Sequence, residues 1–146
     1  MLLASAVGRV VPAEHLARAL NLMSAFFGAL TVALVVVVTL RAVRLAFPAA
    51  GASTVRGSAG LAGVLLLSTT EFWNQALSAE VYTLSTALLA LCLERLGASP
   101  ARRRAAALVA GLAFGVHYNV GVPCALLVAA SGVRARRQLG ARGLFA

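Results

Sequence analysis

The sequence predicts an all-α integral membrane protein of about five transmembrane or half-spanning helices. Three observations carry this expectation. The 146 residues are 61% hydrophobic and only 12% charged, with a mean hydropathy of +0.92, whereas a soluble domain carries about a quarter charged residues. Long uncharged runs cover 22 residues from Ala19 to Leu40 and 29 from Ala105 to Val133, against the roughly 20 needed to cross the hydrocarbon layer. Between the runs lie short arginine clusters, the pattern that orients helices with their positive ends toward the cytoplasm. The net charge of +9 comes from 13 arginines and four glutamates, with no lysine and no aspartate. A nucleic-acid binder needs a polar, folded basic face. Arginines confined to the gaps between apolar runs do not make one, so no nucleic-acid partner is expected. Arginine-only basic usage with abundant Ala and Gly points to a GC-rich genome and a bacterial cytoplasmic membrane.

Residues 1–18 mix apolar positions with Arg9, Pro12, Glu14, His15 and Arg18. They are too polar to span and lack the plan of a cleaved signal peptide, which leaves a short interfacial helix and a turn at Pro12. Ala19 to Leu40 is the clearest span, since a bilayer forces internal backbone hydrogen bonding even on its valine run. Arg41 and Arg44 follow, then a Gly/Ala/Ser loop to Arg56. Two short apolar stretches come next, Gly57 to Thr70 and Val81 to Leu93. Neither crosses alone, but they make a helical hairpin when joined near residues 71 to 78. Gly57, Gly60 and Gly63 offer close approach to a neighbouring helix. After the turn and cluster around Arg102–Arg104, a single helix over 105–133 would be about 43 Å long. Two passes turning at His117–Asn119 instead put both flanking arginine clusters on one side. Gly111 and Gly115 form a GxxxG pair expected to pack closely. The layout is five passes with the N-terminus outside and the C-terminus inside, divided into an interfacial segment (1–18), a helical bundle (19–133) and a basic cytoplasmic tail (134–146).

Candidate chemistry collects at the outer turns. Glu71, Asn74, Gln75, Glu80, Tyr82, His117, Tyr118 and Asn119 share that face. A carboxylate at a membrane boundary is expensive and is read as functional by default, so Glu80 can serve as a general base toward an acceptor hydroxyl. Its other reading is structural: Ser78 as an N-cap, with Glu80 in the first turn favouring the helix dipole. Asn74 and Gln75 can bond sugar hydroxyls. Trp73 and Tyr82 are either sugar platforms or an interfacial aromatic belt. His117 either satisfies backbone at a helix break or binds a phosphate or metal, and a single His without paired ligands argues for no metal site. Cys92 and Cys124 fall in apolar runs without metal-like spacing and read as small packing residues.

Three blocks occur in order: Asn21–Leu30; then Phe72-Trp73-Asn74-Gln75-Ala76 with Ala79-Glu80-Val81-Tyr82; then Ala110–His117. This order resembles a multi-pass membrane family long labelled a domain of unknown function, related to protein O-mannosyltransferases of the GT-C glycosyltransferase type. The resemblance runs from about Leu2 to Val133. It implies a GT-C-like helical module and a polyprenyl-phosphate-linked sugar donor used on the non-cytoplasmic face. Family members place an acidic residue in a first outer loop, and this aspartate-free chain corresponds to an internal piece just downstream of it. On that basis the chain alone is expected to insert into membranes without transferring sugar.

The expected function is therefore that of a fragment of a membrane glycosyltransferase, acting on a protein or glycan hydroxyl. Glu80 is the catalytic candidate, and Asn74, Gln75, Tyr82 and His117 contact substrate. The alternative is a non-enzymatic multi-pass protein, a lipid-binding subunit or transporter piece. That alternative requires a polar path through the bundle, whereas an enzyme needs polarity at one face.

Overall fold

The computed structural model describes residues 2–77, 82–96 and 99–143, with the side chains of 2–4, 77, 100 and 136–143 left out. Among these residues the chain is helical throughout: α1 (Leu2–Val10), α2 (Ala13–Ala46), α3 (Ala52–Leu67), α4 (Thr70–Leu77), α5 (Tyr82–Arg95), α6 (Pro100–Val116) and α7 (Tyr118–Gly143). Pro12 separates α1 from α2 because it has no N–H to donate and disfavours helix in the residue before it. Glu14 in the first turn of α2 and Arg44 in its last complement the helix dipole. α6 starts on a side-chain cap, with Ser99 Oγ accepting from the Arg102 N–H at 3.2 Å and Pro100 following in the first turn.

Two helices are long and apolar enough to cross a membrane, Ala13–Ala46 and the Tyr118–Ala135 part of α7, and Ala52–Leu67 is a shorter apolar helix. The expected span 19–40 lies inside α2, and the expected turn between two helices at His117 lies between α6 and α7. The start of α3 differs from expectation. Gly51 adopts an extended conformation as N-cap and its carbonyl accepts the Val55 N–H at 3.1 Å, so Arg56 belongs to the helix and not to a loop. The polar hairpin tip is also more divided than expected. α3 stops at Ser68 and Thr69, whose hydroxyls donate to the carbonyls of Val64 and Leu66 at 2.8 Å each. Such back-bonding competes with helix continuation, and α4 begins as a separate short helix.

Packing is organised around small residues. α2 lies against α3, α4 and α5, and α5 also meets α6 and α7. Gly63 of α3 faces α2 so closely that an added Cβ would lie 3.0 Å from Val36 Cγ2, and one on Gly28 would lie 3.1 Å from the Ala76 Cβ. Between α2 and α5 runs a seam of buried and part-buried hydroxyls. Thr83 donates to Ser24 at 3.4 Å, and Thr31 meets Thr86 at 3.5 Å. A second cluster joins α5, α6 and α7 through Cys92, Ala106, Val109, Ala110, Ala113 and Cys124. There the Cys92 thiol lies 3.9 Å from the carbonyls of both Ala106 and Cys124. Large apolar side chains such as Phe26, Leu61, Leu65, Leu108, Leu112 and Leu126 point outward. Small residues inside and large apolar residues outside suit a hydrocarbon surrounding, where close backbone approach and not apolar burial joins helices.

The glycine expectations divide. Gly63 is a close-approach site, but Gly57, Gly60, Gly111 and Gly115 all face open space. α6 turns Ala106, Ala110 and Ala113 inward instead, and among the described residues nothing lies within 4 Å of a Cβ added at Gly111 or Gly115.

Candidate functional site

Helix ends assemble two clusters, one at each end of α5 and α6. At the first residue of α5 stands Tyr82, whose ring centroid lies 6.0 Å from that of His117 at the α6–α7 break. His117 stacks on Tyr118, with centroids 5.4 Å apart and planes 18° from parallel. Tyr82 is 46% and Tyr118 69% exposed, so the three rings form an open-faced aromatic group at the helix corner.

The geometry of His117 comes from its place between helices. It closes α6 in an extended conformation, its N–H still donating to the Ala113 carbonyl. Its own carbonyl accepts from the N–H groups of Val120 and Gly121 at 3.1 and 3.0 Å, starting α7. The ring takes part as well: Nδ1 accepts the Asn119 N–H at 3.3 Å. Of the two roles the sequence left open, a backbone contact at the helix break and a phosphate or metal contact, the structure shows a backbone contact in which the ring serves a donor and not a carbonyl. A neutral imidazole whose Nδ1 accepts carries its hydrogen on Nε2. The side chain therefore offers an N–H donor, suited to a phosphate or hydroxyl oxygen. Pro123 adds to the polarity of this corner, since it has no N–H to give the Asn119 carbonyl four residues earlier.

The other expected site residues are placed as follows. Asn74 is exposed and Gln75 half-buried on α4, and no hydrogen bond or ring contact among the described residues links either to the aromatic group. Glu80 lies outside the described residues, as do Ser78 and its expected cap. Trp73 is tied down by its indole N–H, which donates to the Leu67 carbonyl at 2.6 Å. This closes the end of α3, leaving the ring half-exposed. Tyr118, to which the sequence assigned no role, is the stacking partner of His117, and its adjacency to a histidine at a helix break was the available signal. No group of three or more potential metal ligands occurs among the described residues.

At the far end of α5, Glu94 is the centre of a second cluster. Its side chain is 10% exposed and pairs with Arg41 of α2, with Arg95 Nε at 2.9 Å, and with Arg102 Nη1 of α6 at 3.8 Å. Arg41 Nη1 also donates to the Glu94 carbonyl at 2.9 Å. The carboxylate thus ties α2, α5 and α6 at one level. From Tyr82 to Glu94 is about 18 Å along the helix, and from Arg102 to His117 about 22 Å.

Among the described residues the chain is thus an all-helical bundle in which two helices are long and apolar enough to cross a membrane, with an aromatic cluster and an arginine cluster at opposite ends of α5 and α6. A family model described as the protein O-mannosyl-transferase TMEM260 N-terminal domain matches residues 1–131. The chain belongs to this family, which relates it to glycosyltransferases and to a membrane setting. No curated protein and no solved structure matches it significantly.

Proposed function

We propose that the chain contributes the donor-side wall of a GT-C-like membrane glycosyltransferase. The reaction would transfer a sugar, mannose by the family's description, from a polyprenyl-phosphate donor to a protein hydroxyl on the non-cytoplasmic face. The observation that carries this reading is the meeting of Tyr82, His117 and Tyr118 at the end of α5 and α6 opposite the Arg41, Arg95 and Arg102 cluster. Positive-inside orientation puts the arginine end in the cytoplasm and the aromatic end outside. This orientation implies five passes and a cytoplasmic C-terminus.

The chemistry follows from what these groups can do. The acceptor O–H attacks the sugar C1 while the C1–O bond to the lipid phosphate breaks. The hydroxyl proton passes to a base, and polyprenyl phosphate leaves with the bonding pair. Glu80, two residues before Tyr82, is the base in this account. The His117 Nε2–H steadies the leaving phosphate oxygen, where fixed donors contribute most. Tyr82 and Tyr118 supply faces on which a sugar ring stacks, and Asn74 and Gln75 bond sugar hydroxyls.

The rival non-enzymatic reading requires a polar path through the bundle. The only buried polar seam among the described residues, Ser24, Thr31, Thr83 and Ser85, holds hydroxyls and no ionisable group. Thr31 bonds back to the Phe27 carbonyl at 2.8 Å, and Thr83 to Ser24. The first bond stays within α2 and the second joins α2 to α5, so neither makes a conduit. The enzymatic reading is tested with membranes carrying a complete family enzyme that contains this segment, a radiolabelled polyprenyl-phosphate sugar and a protein acceptor. Glu80→Gln should lower the transfer rate by at least about 100-fold. A helix-dipole role would cost only about 0.3–1 kcal/mol of stability, so an unchanged rate would remove Glu80 from the chemistry.

A further inference from the structure

The arginine-rich end of the bundle carries more charge than its fold requires. Arg41, Arg95 and Arg102, from three different helices, surround the single carboxylate of Glu94. Three guanidinium groups against one carboxylate leave two positive charges uncompensated in a fixed arrangement. The Glu94 side chain is only 10% exposed, but the arginine side chains remain 39%, 46% and 44% exposed. The carboxylate therefore sits behind and the guanidinium groups in front. Each guanidinium has five donors, and the contacts to Glu94 use one nitrogen from each arginine, Nη1 of Arg41, Nε of Arg95 and Nη1 of Arg102. The Arg95 Nε contact is electrostatic and not an aligned hydrogen bond, since Glu94 Oε2 accepts none among the described residues. Donor capacity is thus left over at the level where helix ends meet the headgroup layer.

We propose that this three-helix cluster is a binding site for the phosphate of an anionic phospholipid, separate from the aromatic end and some 18–22 Å from it along α5 and α6. Basic pockets between membrane helices bind anionic headgroups in this way, and the planar guanidinium fork matches phosphate oxygens. Glu94 has two effects: it preorganises the arginines and it competes with the phosphate for them.

The test uses the full chain in nanodiscs of mixed phosphatidylglycerol and phosphatidylcholine, with bound lipid counted by native mass spectrometry. The wild type should retain phosphatidylglycerol preferentially. Arg102→Gln removes the most loosely held arginine and should lower that preference about fivefold. Arg104→Gln, two residues away and outside the cluster, should lower it much less. Glu94→Gln should raise the preference, a direction that misfolding would not produce. Inorganic phosphate at millimolar concentration separates the two sources of the same chemistry. Competition would assign the site to free phosphate as well as lipid, and its absence to the lipid headgroup. Equal retention of the two lipids, or equal losses for Arg102→Gln and Arg104→Gln, would overturn the proposal.

Discussion

His117 shows at the scale of one residue what a sequence can and cannot carry. Its position between two apolar runs was enough to locate a helix break, because a 29-residue run is too long for one span. Its hydrogen placement was not legible, since that depends on the Asn119 N–H reaching Nδ1. The distinction matters for function: an Nε2–H donor can hold a phosphate oxygen but does not abstract a proton. His117→Phe keeps an aromatic ring beside Tyr118 and removes the donor. A hydrogen bond to a charged oxygen contributes about 1.5–3 kcal/mol, so in a complete family enzyme containing this segment the variant should transfer sugar roughly 10- to 100-fold more slowly, with unfolding temperature little changed. His117→Gln, which restores an N–H, should recover part of the rate. A rate for His117→Phe equal to wild type would limit the histidine to its part in starting α7.

Among the elements, the glycines show why a motif without a face is ambiguous. Gly111 and Gly115 satisfy the spacing for close helix contact, yet their side of α6 meets nothing within 4 Å. Ala106, Val109, Ala110 and Ala113 form the inward stripe instead. Nothing in a helix of alanine, glycine and leucine tells which small residues face a neighbour. The same limit hid the break after α3, where Ser68 and Thr69 look like ordinary interfacial residues until their hydroxyls are seen turned back on the helix. A pair of substitutions separates the two glycine environments. Gly63→Leu drives a side chain into Val36 across the α2–α3 contact and should destabilise by about 1–3 kcal/mol, as overpacking does. Gly111→Leu should stay within about 0.5 kcal/mol, as surface changes do. Reversible unfolding in detergent measures both. Equal losses would mean that α6 has a partner on its glycine face.

For the whole molecule, the dominant quantity is length. α2, at 34 residues, exceeds the roughly 30 Å hydrocarbon layer, whereas α5 and α6 separate the aromatic and arginine ends by only about 18–22 Å. Charge clusters and apolar run lengths made this two-ended plan readable from sequence, because both are one-dimensional signals. The convergence of α2, α5 and α6 on Glu94 was not readable, because it joins residues 53 apart. The central claim is that the aromatic end faces away from the cytoplasm and the arginine end toward it. The most direct test is labelling by a membrane-impermeant thiol reagent in intact cells. Cys92 and Cys124, both buried and unpaired, are first replaced by alanine, and single cysteines are then placed at Trp73, His117 and Arg103. The account predicts labelling at 73 and 117 in intact cells, and at 103 only after the membrane is opened. Labelling at position 103 in intact cells would contradict it.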